Sequence, residues 1–363
     1  MASHRTARLM TRSLLTLAAS AWFAAAQAAS FCAATGDQLA SALNTADSNN
    51  ANDEIRVTSG VKTRTGIADG FTRWVYIEGA SEGDNDLVLS GGWNAACTIQ
   101  NLQVPTILDA ELSGPALDVQ LNSVSFAVID LSGFDIVRGY TNISFDFSGL
   151  RVSTESTNGP AITLDRIRVR NSGSDGNSSG IVRLGSNSGS LQVRNMQVDH
   201  NRSYSGASVI LAAGGTSNIR FVNSTVATNT DSVATSAGPV GGVSAFGSGT
   251  IDLYNNVLYG NTSANSVDLS LASGVGILAN NHIGVLRGTP ANVGGTTTGD
   301  PLLSYNASGW AVPAGGSQLR DSGSTFVPGG AGAIDARGLP RVQGVKIDRG
   351  AVEFDSMFAS GFE

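Results

Sequence analysis

A segment that recurs along the middle of the chain constrains this sequence more than any other feature. Leu191-Gln-Val193-Arg-Asn195-Met-Gln-Val198-Asp-His-Asn201 lays over Ile219-Arg-Phe221-Val-Asn223-Ser-Thr-Val226-Ala-Thr-Asn229, and over Ile251-Asp-Leu253-Tyr-Asn255-Asn-Val-Leu258-Tyr-Gly-Asn261. The strong copies start 28 and 32 residues apart, and a weaker copy at Ile162 lies 29 before Leu191. Others begin at Ile129 and Ile143, and Leu278-Ala-Asn280 with Ile283 continues the pattern. A second alternating run precedes each copy, at 181–184, 209–211, 243–246 and 267–271. Fixed periods of this size signal stacked repeats. Short strands without a helix-length apolar pattern make the stack a coil of parallel strands. The expected fold is all-β, a right-handed parallel β-helix. A β-sandwich also uses short strands, but it does not require Asn at matching offsets.

Stacking at the strand spacing of about 4.8 Å sets a register. Ile162, Leu191, Ile219 and Ile251 form one inward column, and Leu164, Val193, Phe221 and Leu253 the next. Thr163, Gln192, Arg220 and Asp252 then point outward, with Asp165, Arg194, Val222 and Tyr254. Asn195, Asn223 and Asn255 fall at a sharp bend, where Asn tolerates a left-handed backbone and its amide can bond its neighbours above and below. The ends need closing. Residues 37–46 read as a short N-terminal helix with Leu39, Ala42, Leu43 and Ala46 on one face and Thr35 or Asp37 as its cap. Ile55 and Val57 follow as the first strand. The repeat fades near Gly299, and residues 300–353, with Pro301, Pro313, Pro328, Pro340 and irregular turns, read as a second cap. The expected organisation is therefore a signal segment (1–28), an N-terminal cap (29–52), the β-helix (53–299), a C-terminal cap (300–353) and a tail (354–363).

The first 28 residues read as an address. Arg5, Arg8 and Arg12 precede an apolar run over 13–26, and Ala26-Gln27-Ala28 supplies a small-x-small cleavage site. The run is too short and wrongly flanked for a membrane anchor, and no later stretch reaches membrane length. Cleavage leaves 19 bases against 29 acids, a net charge of -10, which repels phosphate and argues against a nucleic-acid partner. Only 14% of residues are charged and 41% are hydrophobic, with 45 glycines in no three-residue period, so disorder and collagen are both excluded. The expected location is secreted, extracellular or on the outer surface of a bacterium. Cys32 and Cys97 are the only cysteines, and in an oxidising compartment they read as one disulfide, the alternative being two buried thiols.

Several motifs at the ends resemble a known family. Asp300-Pro301-Leu302-Leu303, the segment 317–323, Asp335-Ala-Arg337-Gly338-Leu-Pro340-Arg341 and Ile347-Asp348-Arg349-Gly350-Ala351-Val352-Glu353 resemble the C-terminal region called choice-of-anchor, type Q, of secreted bacterial right-handed β-helix proteins. The opening from Cys32 to Val57 is similar to that family's N-terminal Cys, short helix and first strand. The chain stops ten residues after Glu353, where family members often carry a sorting segment; its ending, Gly361-Phe362-Glu363, resembles short tails on secreted proteins of some Gram-negative bacteria. The resemblance implies an architecture and no particular reaction.

The adjacent aspartates, Gly-His-Gly and Arg-x-Lys of β-helix polygalacturonases have no counterpart here, and Lys62 and Lys346, the two lysines of the mature chain, lie outside the repeats. Aligned copies place Asp165 over Arg194, Arg170 over Asp199 and Arg220 over Asp252, which suits a solvated face of paired charges. Within it, Arg170, Asp199 and His200 are the weak catalytic candidates, with His200 as a general base. His282, in a polar turn, reads as structural. Asp84-Asn85-Asp86 is a weak candidate for Ca²⁺, lacking the closing Glu of a calcium loop. No other cofactor or metal is expected. The long turns 172–180, 202–207 and 230–242 fall on matching sides of successive coils, as insertions on a binding face do. The expected function is a secreted or cell-surface, non-catalytic scaffold for glycan binding, adhesion or interaction, its partner a polysaccharide or cell-surface glycan; the alternative is a polysaccharide lyase or glycoside hydrolase acting on acidic polysaccharide.

Overall fold

The structure, a computed structural model, describes residues 28–65, 73–79, 85–121, 126–142, 145–175, 180–204, 206–232, 240–264, 266–272 and 275–354. The signal segment up to residue 27, the weak repeat copy at Ile143 and the tail beyond Phe354 lie outside them. The chain winds as a right-handed parallel β-helix. Its largest sheet has two limbs. The first stacks Ala29–Ala33, Asp53–Thr58, Leu87–Trp93, Val128–Val137, Ala161–Arg170, Ser190–Arg194, Asn218–Val222, Thr250–Tyr254, Val275–Ala279 and Asn292–Gly294. The second stacks Gln197–Asp199, Thr225–Ala227, Val257–Tyr259 and His282–Ile283 onto the later half of Ala161–Arg170. A separate sheet of eight strands, Trp74–Glu78 through Leu286–Arg287, closes the coil.

The expected register holds strand by strand. Ile162 pairs with Leu191, Leu191 with Ile219 and Ile219 with Ile251, while Leu164, Val193, Phe221 and Leu253 form the neighbouring column. All eight side chains are buried in one continuous core. The bend between the limbs is a column of left-handed residues, Gly133, Arg166, Asn195, Asn223, Asn255 and Asn280, with φ from 45° to 77°. Gly133 and Arg166 take the place of Asn in the weaker copies. A second left-handed column, Arg138, Asn171, His200, Thr228 and Gly260, ends the second limb with φ between 52° and 69°.

The Asn ladder differs from the expected one. In the bend column, among the described residues, Asn255 alone donates to its neighbour, Asn223, at 2.9 Å. The continuous ladder follows the second bend: Asn201 Nδ2 donates to Asn229 Oδ1 at 3.0 Å, Asn229 to Asn261 at 2.9 Å, and Asn261 to Asp268 at 2.9 Å. Each of these amides also donates to a strand carbonyl of the preceding coil, those of Val169, Val198 and Val226. Buried backbone groups at the turn are thereby satisfied without water.

At the N-terminus, the helix α1 spans Gly36–Ser48, with Thr35 and Gln38 forming a capping box and Leu39, Ala42, Leu43 and Ala46 buried. The strand Ala29–Ala33 precedes it and pairs with Asp53–Thr58, so the stack starts one strand earlier than expected. Cys32, on that strand, is disulfide-bonded to Cys97, with 5.7 Å between Cα atoms.

At the other end, the expected cap is a strap. From Gly299 the chain turns back along the flank and lies over the bend column. Trp310 stacks on the Arg168 guanidinium, Gly329 accepts from Gln192, Ala331 from Asn223, Ile334 from Asn195 and Ser324 from Asn255. Val222 and Tyr254 do point away from the core, yet they are buried beneath Val327 of this strap. The outward face of the first limb is therefore covered here, where a solvated face was expected.

Candidate functional site

Asp199 and His200 close the second limb on one coil, and the backbone brings them together. His200 occupies the second left-handed column at φ 54°, and its Nδ1 lies 2.7 Å from Asp199 Oδ2. Asp199 is fully buried, whereas the His200 side chain is half exposed. A buried carboxylate against Nδ1 fixes the imidazole and leaves Nε2 as its other face, the geometry a general base uses. The surroundings constrain that use. Asp199 also accepts from Arg168 at 3.2 Å and 3.1 Å and from Gln197 at 3.0 Å, so both oxygens are saturated. The Tyr305 ring of the strap lies edge-on to the imidazole at 4.7 Å, and its hydroxyl meets Thr228 Oγ1 at 2.7 Å. Burial pushes the Tyr305 hydroxyl up to about 12, so it stays protonated and neutral.

Arg170 does not join this pair. It is the register partner of Asp199, but its guanidinium turns back to Asp135, with Nε and Nη2 at 3.1 Å and 2.9 Å, while Arg168 takes Asp199. The long side chains lean diagonally across the pleat, a reach that direct-opposite alignment overlooks. The strap reinforces the choice, because the carbonyls of Ser308 and Gly309 accept from Arg168. Asp165 and Arg194 do pair directly, at 3.4 Å. Arg220 and Asp252 are aligned as expected without an ion pair; Asp252 instead accepts from the backbone of Ile277 at 3.1 Å.

His282 has both ring nitrogens engaged, Nδ1 at 3.0 Å from Thr297 Oγ1 and Nε2 at 3.0 Å from the Gly299 carbonyl. Burial holds it below the ordinary histidine range. Of the Ca²⁺ candidate, Asp84 lies outside the described residues; Asp86 accepts from the Val128 amide at 2.8 Å and from Asn52. Among the described residues no three His, Cys, Asp or Glu side chains group as metal ligands.

An open concavity lies elsewhere, where the coils run out. A cleft of about 390 Å³ is lined by Tyr259, Gly260, Thr262, Asp268, Thr298 and Asp300, among others. Asp268 is buried and ends the Asn ladder; its Oδ2 accepts from the Val285 amide at 2.9 Å. Burial, its largest influence, pushes this carboxyl up against the donors Asn261 and Val285. The cleft continues the edge from which the long turns leave. Tyr140–Thr141, Gly173–Ser174, Arg202–Ser203 and Thr230–Asp231 stack as a small parallel sheet, and Thr262 bridges to Thr230.

No family model, curated protein or solved structure matches the chain. Site and function therefore rest on geometry. Sequence reading found Asp199 and His200, and it missed Arg168, Tyr305 and Trp310, which complete their surroundings. One signal was present: Val222 and Tyr254, apolar at successive outward positions, mark a covered face. The cleft residues carry no motif, since Tyr259 and Gly260 are ordinary members of a repeat copy.

Proposed function

We propose that this chain is an extracellular, non-catalytic scaffold that binds glycan along the edge from which its long turns emerge. The observation that carries the reading is a contrast between two places. The charged flank is neutralised from coil to coil and lies under the strap, whereas the cleft at the last coil is open, polar and walled by a tyrosine. Clefts of 300–1,000 Å³ with a few convergent polar groups are the usual form of small-ligand sites. The disulfide suits an oxidising compartment, and among the described residues no helix is long and apolar enough to cross a membrane. Membership of the choice-of-anchor type Q family is part of the proposal. It is supported by what the matching residues do. Arg341 meets Glu353 at 3.0 Å in a fully buried pair and reaches the Asn223 carbonyl, and Arg349 holds the Asn281 carbonyl at 3.1 Å. A closing motif that clasps the strap to the coils is a reason for those residues to occur together.

One observation favours the alternative, a polysaccharide lyase or hydrolase: the 2.7 Å contact between Asp199 and His200. Purified chain lacking residues 1–28, run by affinity electrophoresis through gels containing neutral or acidic polysaccharides, separates the two. Retardation without new reducing ends or unsaturated products is the expected result. Product formation that His200→Ala abolishes would establish the enzyme.

A further inference from the structure

The coil carrying Val257–Tyr259 differs from those before it at one position of the second left-handed column. Successive coils place Arg138, Asn171, His200 and Thr228 there; this coil places Gly260, at φ 69°. A Cβ at Gly260 would meet no atom within 4 Å. The missing side chain thus leaves the mouth of the cleft open. Gly284 keeps its floor open in a different way, because a Cβ there would come within 2.9 Å of the Tyr259 ring and 2.4 Å of Asp268 Oδ2. Two glycines therefore expose an aromatic wall and a buried carboxylate to one cavity.

From these contacts we infer that the cleft is a subsite for a neutral hexopyranose, a proposal that rests on the glycan-binding reading above. The Tyr259 ring, half buried and braced by His282 at 5.8 Å between centroids, offers a flat apolar surface to the C–H face of a sugar. Thr262 and Thr298 are exposed hydroxyls at the rim; they donate to Thr230 Oγ1 and to the Gly284 carbonyl, each at 3.2 Å, which leaves oxygen lone pairs to accept from sugar hydroxyls. Asp300 is exposed, with Oδ1 held by the Leu302 amide at 2.8 Å, which fixes the carboxylate toward sugar hydroxyl donors. The sign of the lining selects among saccharides. Asp268 and Asp300 contribute carboxylates, and among the described residues lining the cleft there is no Lys, Arg or His. A uronate would bring a third negative charge into this space with no cation to meet it. The ligand class of a scaffold with this cleft is thus neutral polysaccharide.

Titration calorimetry of the mature chain with gluco-, manno- and galacto-oligosaccharides, and with oligogalacturonate and oligomannuronate, tests the assignment. At least one neutral series should bind, and both uronates should bind at least tenfold more weakly. Tyr259→Ala should weaken binding about tenfold or more. Gly260→Asn, which restores a side chain that Asn171 carries at the same backbone conformation, should do the same without lowering the melting temperature. Preferential uronate binding would overturn the assignment. Neutral-sugar binding unaffected by both variants would overturn it while leaving the glycan-binding reading in place. No binding to any saccharide would remove both.

Discussion

Glu353 shows how a single side chain links this fold to pH. It is buried beside Arg341, and its carboxylate also accepts from the Asp348 amide at 2.9 Å. Burial pushes it up to about 8, against the opposing pull of Arg341. An unfolded glutamate titrates near about 4.3, so between those values the folded chain holds a proton that the unfolded chain has lost. Stability from this group is fully present below about pH 4.3 and declines as pH rises through about 8. Glu353→Gln keeps the shape and removes the titration. The stability of wild type relative to this variant, from denaturant midpoints, should fall between about pH 5 and 8; a difference that rises across that window contradicts the assignment. Asn229 supplies a second test at this scale. Its amide joins Asn201 to Asn261 and donates to the Val198 carbonyl at 2.9 Å, and Asn229→Ala takes this donor from Val198 and the 3.1 Å acceptor from the buried Asn201 backbone amide. A loss of about 3 kcal/mol or more is expected in urea unfolding.

The elements obey the period-two pattern closely, and their energetics follow from which face each residue takes. Phe221, fully buried at the centre of its column, should cost about 3–5 kcal/mol when replaced by Ala. Arg220, one residue earlier and outward without an ion pair, should cost less than about 1 kcal/mol. Equal losses for the two in urea titrations would contradict the register. The disulfide fastens the first strand to the turn after Leu87–Trp93, where Arg56 stacks on Trp93 at 4.5 Å and donates to the Cys97 carbonyl at 3.0 Å. Closing this loop, with a sequence separation of 65, stabilises by about 4 kcal/mol on the chain-entropy view. A chain with both cysteines changed to Ala should lose roughly that much. Coil strands and their inward columns were legible because alternation and Asn offsets are local, repeated signals. The strap was not. Its contacts with Arg168, Gln192 and Asn223 are more than 100 residues distant in sequence, and the one local sign, apolar Val222 and Tyr254 at outward positions, marks a covered face without naming the segment that covers it. Arg170 does stack on Asp199 as the alignment places it, yet its guanidinium reaches Asp135, because alignment fixes which Cα atoms face each other and not which way a side chain leans.

For the whole molecule, the strap and the coils form one buried assembly. Arg341, almost completely buried, bonds Asn195, the Asn223 carbonyl and the Gly350 carbonyl, so it joins two coils to the chain's last described segment. Ala351 donates to Thr225 at 2.9 Å and Gly350 to the Asn255 carbonyl at 2.7 Å. The same strap carries Tyr305 onto His200, which makes this flank a structural seam. Hydrogen exchange read by mass spectrometry across peptides of the mature chain tests this most directly. Strap peptides containing Ala311, Ser324, Arg341 and Ala351 should exchange as slowly as coil peptides spanning 190–199 and 218–227, and lose protection together with them in denaturant. Fast exchange of the strap while the coils remain protected would contradict the closed seam and expose the Asp199–His200 pair for chemistry.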